Sequence, residues 1–151
     1  MTLSLVSSAF RDGGHIPQKY ARQGSNLSPP LAWNDPPAGT KSFALIVEDP
    51  DAPSGTFRHW AIYDIEPERM TLPEGARIDF ARCGINDFGD DHYDGPQPPR
   101  GHGVHHYHFR LAALDVETLG VPTRAKVAEI WKAAKPHVLA EAELIGTFET
   151  N

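Results

Sequence analysis

A chain of 151 residues has the size of one domain and can bury one substantial core, so a single domain over 1–151 is expected. Hydrophobic residues at 40% and charged residues at 23% exclude a disordered or fibrous chain. Lys+Arg 14 against Asp+Glu 20, a formal net charge of -6, opposes general attraction to nucleic acid or an anionic bilayer.

In chain order, Leu3 to Phe10 reads as a first strand, ended by Asp12-Gly13-Gly14. The opening lacks a basic leader, and no later stretch approaches the roughly 20 apolar residues of a membrane span, so a cytoplasmic protein without integral membrane association is expected. Breakers dominate Ile16 to Pro37, with Leu31-Ala32-Trp33 a short strand among them. Ser42 to Asp49 is apolar at both parities until its last two residues, which marks a buried strand. Asp49 to Gly55 carries two prolines and a glycine and must be a loop; a tight reversal there predicts a cis Ala52-Pro53 bond. Phe57 to Ile65 is the next strand, Pro67 to Gly75 a connection, and Arg77 to Arg82 a weak strand.

Gly84 to Gly103 follows, 20 residues with five glycines and three prolines and almost no periodicity; a connection that long inside a compact domain points to function. His105 to Leu114 is the clearest strand, with Tyr107, Phe109, Leu111 and Ala113 on one face. Thr123 to Glu141 predicts a helix, with Thr123 as N-cap and Val127, Ile130, Trp131 and Ala134 at helical spacing. Pro136 should break it and leave a second short helix around Val138-Leu139-Ala140, before a closing strand from Leu144 to Glu149.

Strand parity locates the chemistry. Asp49 falls on the face of Phe43, Leu45 and Val47; His59 on that of Phe57, Ala61, Tyr63 and Ile65; His105 and Tyr107 begin the face continued by Phe109. If those strand ends meet, they make a pocket with an apolar floor and a polar mouth. The alternative is that these groups cap a core edge by hydrogen-bonding one another; four converging on Gly- and Pro-rich loops favour a site. Asp49, His59 and His105 could also make a carboxylate-plus-two-His metal set, but the spacing carries no metal motif, and neither metal nor cofactor is expected. Gly101 and Gly103 would let backbone N–H groups approach an anion. No Gly-x-Ser-x-Gly elbow or activated nucleophile is present, and the single cysteine, Cys83, reads as a structural thiol in a reducing compartment; no catalytic residue is assigned.

Asp49-Pro50-Asp51-Ala52-Pro53, Arg58-His59-Trp60 and the run from Gly95 to Phe109 containing Gly101-His102-Gly103-Val104-His105-His106-Tyr107 resemble the two signature regions of the phosphatidylethanolamine-binding protein family. Phe10-Arg11-Asp12-Gly13, Ser28 to Trp33 and His137 to Thr147 are similar to its prokaryotic, Raf-kinase-inhibitor-like branch. Ala112, where that branch commonly has a bulky aromatic, and Pro136, where glycine is more usual, depart from it.

The resemblance implies a mainly β fold, a Greek-key β-sandwich with one or two short C-terminal helices. It also implies a surface cavity for phosphate, acetate or phosphorylated head groups, with Asp49, Pro53, His59, Pro99, Gly101, His105 and Tyr107 as the matching ligand-binding positions, and a homodimer. The expected function is binding of a small anionic or phosphorylated ligand, with regulation through an unidentified protein partner. Two alternatives stand beside it. One is a hydrolase or isomerase using His59 and His105 as acid and base with Asp49 orienting one of them. The other is an inhibitor or scaffold acting through the loop from Gly84 to Gly103.

Overall fold

The computed structural model describes residues 2–151. Its longest apolar run, Ser42–Asp49 (β3), is buried at seven of its eight positions because both its faces are covered. Phe43, Leu45 and Val47 pack between two sheets, whereas Ala44 and Ile46 pack under a helix. β3 is the middle strand of a five-stranded sheet, with Phe57–Ile65 (β4) and Arg82–Cys83 (β6) on one side and His105–Leu114 (β7) and Val138–Phe148 (β8) on the other. A three-stranded sheet of Ser4–Val6 (β1), Leu31–Asn34 (β2) and Thr71–Leu72 (β5) packs on its inner face through Leu5, Leu31, Trp33 and Leu72. Neighbouring strands in both sheets are antiparallel, and the fold is a mainly β sandwich with the helix Val127–Ala134 (α1) near the C-terminus.

Four local expectations are corrected. The first strand is confined to Ser4–Val6, and of the Arg77 to Arg82 segment only Arg82 joins a strand, opposite Tyr63 of β4. The helix begins at Val127, not near Thr123, because a parallel bridge between Ile85 and Lys126 keeps the preceding backbone extended. Glu129 then accepts the Lys126 N–H at 3.2 Å and closes the first turn. After a short 3-10 turn over Lys135–His137, residues Val138 to Ala140 are not helical. They begin β8, which pairs with β7 from Leu114↔Val138 to His105↔Phe148. The open edge of β7 pairs with Val138 and Ala140, with Leu139 the extra residue of a bulge between them, and that pairing outweighs their weak helical preference.

The Ala52–Pro53 bond is trans, like every peptide bond among the described residues. The chain reverses by other means: Asp49 Oδ1 accepts the Asp51 N–H at 2.8 Å, and Gly55, at φ 109, donates to the Ala52 carbonyl at 3.0 Å.

The loop from Gly84 to Gly103 is pinned. Gly95 donates to Asn26 Oδ1 at 2.7 Å and lies so close to the chain at Tyr20 that a Cβ would sit 1.9 Å from the Tyr20 carbonyl oxygen. Rigid backbone leaves no room to yield, so Gly95→Ala should destabilise the fold by about 1–3 kcal/mol, the range for overpacking. A urea-unfolding midpoint unchanged from wild type would contradict this contact.

Candidate functional site

The site forms where the strand register runs out. Asp49, the last residue of β3, lies directly opposite Phe57, the first of β4, and Glu48 opposite His108 leaves Asp49 beside Tyr107 of β7. His59 arrives by an irregularity. Val47 pairs with Trp60 and Glu48 with Arg58, so His59 is the extra residue of a β-bulge. A second shift, between Phe43 and Leu45, reverses the parity again. His59 therefore does not share a face with Ala61 and Tyr63, as unbroken alternation predicts. Those two pack on the helix side, whereas Trp60, Ile62 and Ile65 face the other sheet. The bulge aims the imidazole at Tyr107, 5.3 Å away with the rings nearly perpendicular.

These ends enclose a cavity of about 170 Å³ lined by Asp49, Pro53, His59, Pro99, His105 and Tyr107, with Ala52, Phe57, Phe88, Gln97 and Pro98 completing the wall. Six of the seven expected positions thus converge. Gly101 does not line the cavity; its N–H points to the Thr150 carbonyl at 3.4 Å. Phe57 was not among the expected positions; its signal was its place at the start of β4, opposite Asp49 at the end of β3. Phe88 carried no such signal, since it lies in a loop without period and is brought in by Asn86, whose Oδ1 accepts the Phe88 N–H at 2.9 Å.

A family model described as phosphatidylethanolamine-binding protein matches residues 6–149. The chain belongs to that family. A UPF0098 protein of Aquifex aeolicus is 43% identical over 151 residues, covering 97% of this chain and 88% of the relative. A solved phosphatidylethanolamine-binding protein homologue from Chlamydia trachomatis superposes with a TM-score of 0.91 at 41% identity over 99% of both chains. The solved Escherichia coli YbcL, described as a new member of the mammalian family, gives 0.94 at 30% identity over 100% of both.

Within this member of the family the polar groups of the cavity are tightly specified. Asp49, 3% exposed, uses Oδ2 to accept from His105 Nδ1 at 2.6 Å, while Oδ1 holds the Asp51 amide. With Nδ1 of His105 donating to Asp49, its Nε2 meets Nδ1 of His102 at 2.7 Å. His59 Nδ1 lies 2.8 Å from the Asp94 carbonyl. A carbonyl can only accept, so the proton is assigned to Nδ1, and in the neutral ring Nε2 carries a lone pair. Asn86 fixes that arrangement, its Nδ2 reaching both the His59 carbonyl at 3.1 Å and Asp94 Oδ2 at 2.9 Å.

Burial pulls the His59 pKa below its usual 6.5, against the opposing pull of the Asp94 carbonyl and of Asp49, Asp94 and Asp87. Burial, then the neighbouring Asp49, pushes the Tyr107 phenol far up, so it stays a neutral hydroxyl. Burial pushes the Cys83 thiol up to about 11, which suits an inert side chain. Among the described residues, the carboxylate and His donors that gather within 4.8 Å of one another are Asp90, His92 and Asp94, outside the cavity wall. Asp49, His59 and His105 do not form such a metal set. No helix among the described residues is long and apolar enough to cross a membrane.

His59 makes a stability prediction. Its folded pKa lies below the unfolded value of 6.5, so below that pH the unfolded chain binds more protons. Its contribution is present above pH 6.5 and is lost as pH falls toward the folded pKa. His92 shifts the other way, chiefly through its hydrogen bond to the Tyr93 carbonyl, so total stability mixes opposite slopes. The difference between wild type and His59→Asn isolates His59. Urea unfolding between pH 8 and 5 should show wild type losing stability relative to the variant from about pH 6.5 downward. Parallel curves would contradict a buried neutral His59.

Proposed function

We propose that the cavity binds a small anionic or phosphorylated ligand and that binding, not turnover, is its task. The observation that carries this reading is the disposition of Asp49. Both its oxygens are engaged by protein donors, the Asp51 amide and the His105 ring, so its charge is answered within the protein instead of facing an anion in the cavity. Apart from Ala52 and Gln97 the rest of the wall is proline and aromatic or imidazole rings, a largely apolar surface with a few placed polar groups, as in small-ligand sites generally. A volume of about 170 Å³ suits a head group or a free phosphate better than a whole lipid. The lining contains no serine, cysteine or lysine, which weighs against a covalent mechanism. The family's name and fold lend the phosphorylated ligand further support.

With His59 neutral and its one N–H given to Asp94, an anion needs a proton to enter with it. Titration calorimetry should therefore find that phosphate affinity rises as pH falls from about 8, and is still rising below pH 6.5, since His59 gains its proton only below that value. Phosphate, which carries an acidic hydroxyl near neutrality, should bind more tightly than sulfate. His105→Ala should weaken binding by about 1.5–3 kcal/mol through loss of a charge-assisted hydrogen bond. A pH-independent affinity, or an unweakened His105→Ala variant, would move the anion out of this cavity. Each ligand found should be tested for turnover; product formation would favour the acid–base alternative.

A further inference from the structure

His102 lies outside the ligand-binding set, yet its side chain is hydrogen-bonded directly to one of the cavity's histidines. Its Nδ1 is 2.7 Å from His105 Nε2, and the rings meet edge to face with centroids 4.9 Å apart. An imidazole nitrogen has one in-plane hydrogen-bonding position. At His105, Asp49 fills the position on Nδ1 and His102 fills the one on Nε2. An anion in the cavity cannot use His105 while this holds. His105 is 1% exposed, but His102 is exposed and is mounted differently. Gly101 and Gly103 flank it at φ 76 and 93, with nothing within 4 Å of where their Cβ atoms would lie. A ring between two such glycines in open space can leave its partner without disturbing packed structure.

We propose that His102 is a latch on the cavity: in the free protein it occupies the ligand-facing nitrogen of His105, and an entering phosphate-type anion takes its place. This rests on the anion-binding reading above. The exchange is balanced in hydrogen bonds and protons. In the latched state, with both rings neutral, His102 Nδ1–H donates to the lone pair on His105 Nε2. In the bound state His105 Nε2 accepts instead from the acidic P–OH that the phosphate brings in, and the released His102 Nδ1–H turns to water. The other charged or titratable groups around the pair are Asp49 at the end of β3, Asp51 beside it, His106 bonded to Asp51 at 2.8 Å, and Tyr107 stacked 6.4 Å from the His105 ring. His59 faces Tyr107 from the far side. None of these replaces His102 on Nε2, so its removal frees that nitrogen.

The consequence is opposite in sign to that of an ordinary binding residue. His102→Ala should bind inorganic phosphate about 2- to 10-fold more tightly than wild type at about pH 7, corresponding to one neutral hydrogen bond no longer displaced. His102→Asn should restore wild-type affinity, because its side-chain amide hangs from the same carbon as Nδ1 and can donate to His105. Calorimetry on the three proteins, with 15N imidazole spectra of His105 in each, tests this. The His105 Nε2 signal of His102→Ala without phosphate should depart from that of the free wild type, and that of His102→Asn should not. Wild type binding phosphate with His102→Ala equal or weaker would overturn the latch while leaving the anion site standing. Neither protein binding phosphate would overturn both. Binding seen only in His102→Ala would support the latch in its strongest form.

Discussion

A buried carboxylate against a buried imidazole is the contact on which this molecule's chemistry depends. Removing Asp49 from water would be costly without donors, and the fold supplies two, the His105 ring and the Asp51 amide. The first ties the end of β3 to the start of β7; the second shapes the β3–β4 loop that carries Pro53. Losing either partner would leave a charge or a lone pair unsatisfied in a region 1–3% exposed. Two strand ends, a loop and a cavity wall are thus held by one carboxyl group. Its position at the sheet's margin is required, since two residues deeper on the same face Val47 lies between Phe109 and Trp60 in buried apolar packing.

His59 shows how a single inserted residue serves that margin. Regular pairing would carry Trp60 and Ile62 onto the inner face and offer the position between Trp60 and Arg58 to the outer one. The bulge adds a residue there, so β4 keeps its large aromatic in the core and still turns an imidazole toward Tyr107. The ring is gripped from outside by the Asp94 carbonyl, itself set by Asn86. The long loop therefore acts from behind the histidine as well as across the cavity from it.

Much of this was legible in the sequence because the strands that matter are covered on at least one face. β3 and β7 announce themselves by apolar runs, and parity alone put Asp49, His105 and Tyr107 on the inner side, since the β3–β7 register is unbroken. Parity failed for His59 relative to Ala61 because a bulge has no hydrophobic signature. It failed at Val138 to Ala140 because their extension comes from pairing with β7, a contact between distant segments. Gly101 was placed at the cavity by resemblance, yet its positive φ belongs to the mounting of His102. Phe88, Asn86 and the His102 contact were invisible because they depend on the path of a loop whose geometry comes from Asn86, Gly95 and Asn26 together.

Core and loop consequently make separate decisions about the site. The strands deliver Asp49, Phe57, His59, His105 and Tyr107, and their positions cannot drift without moving Trp60, Val47 or Phe109, all at most 2% exposed. Residues 97–99 close the cavity from outside the sheets, and His102 meets His105 from the same loop. Side chains there can change with little cost to packing, because the loop's close approaches lie earlier, at Gly84 and Gly95, whereas Gly101 and Gly103 have open space around them. An arrangement of this kind fixes the strand-borne polar groups and leaves the shape of the mouth to a short, replaceable segment.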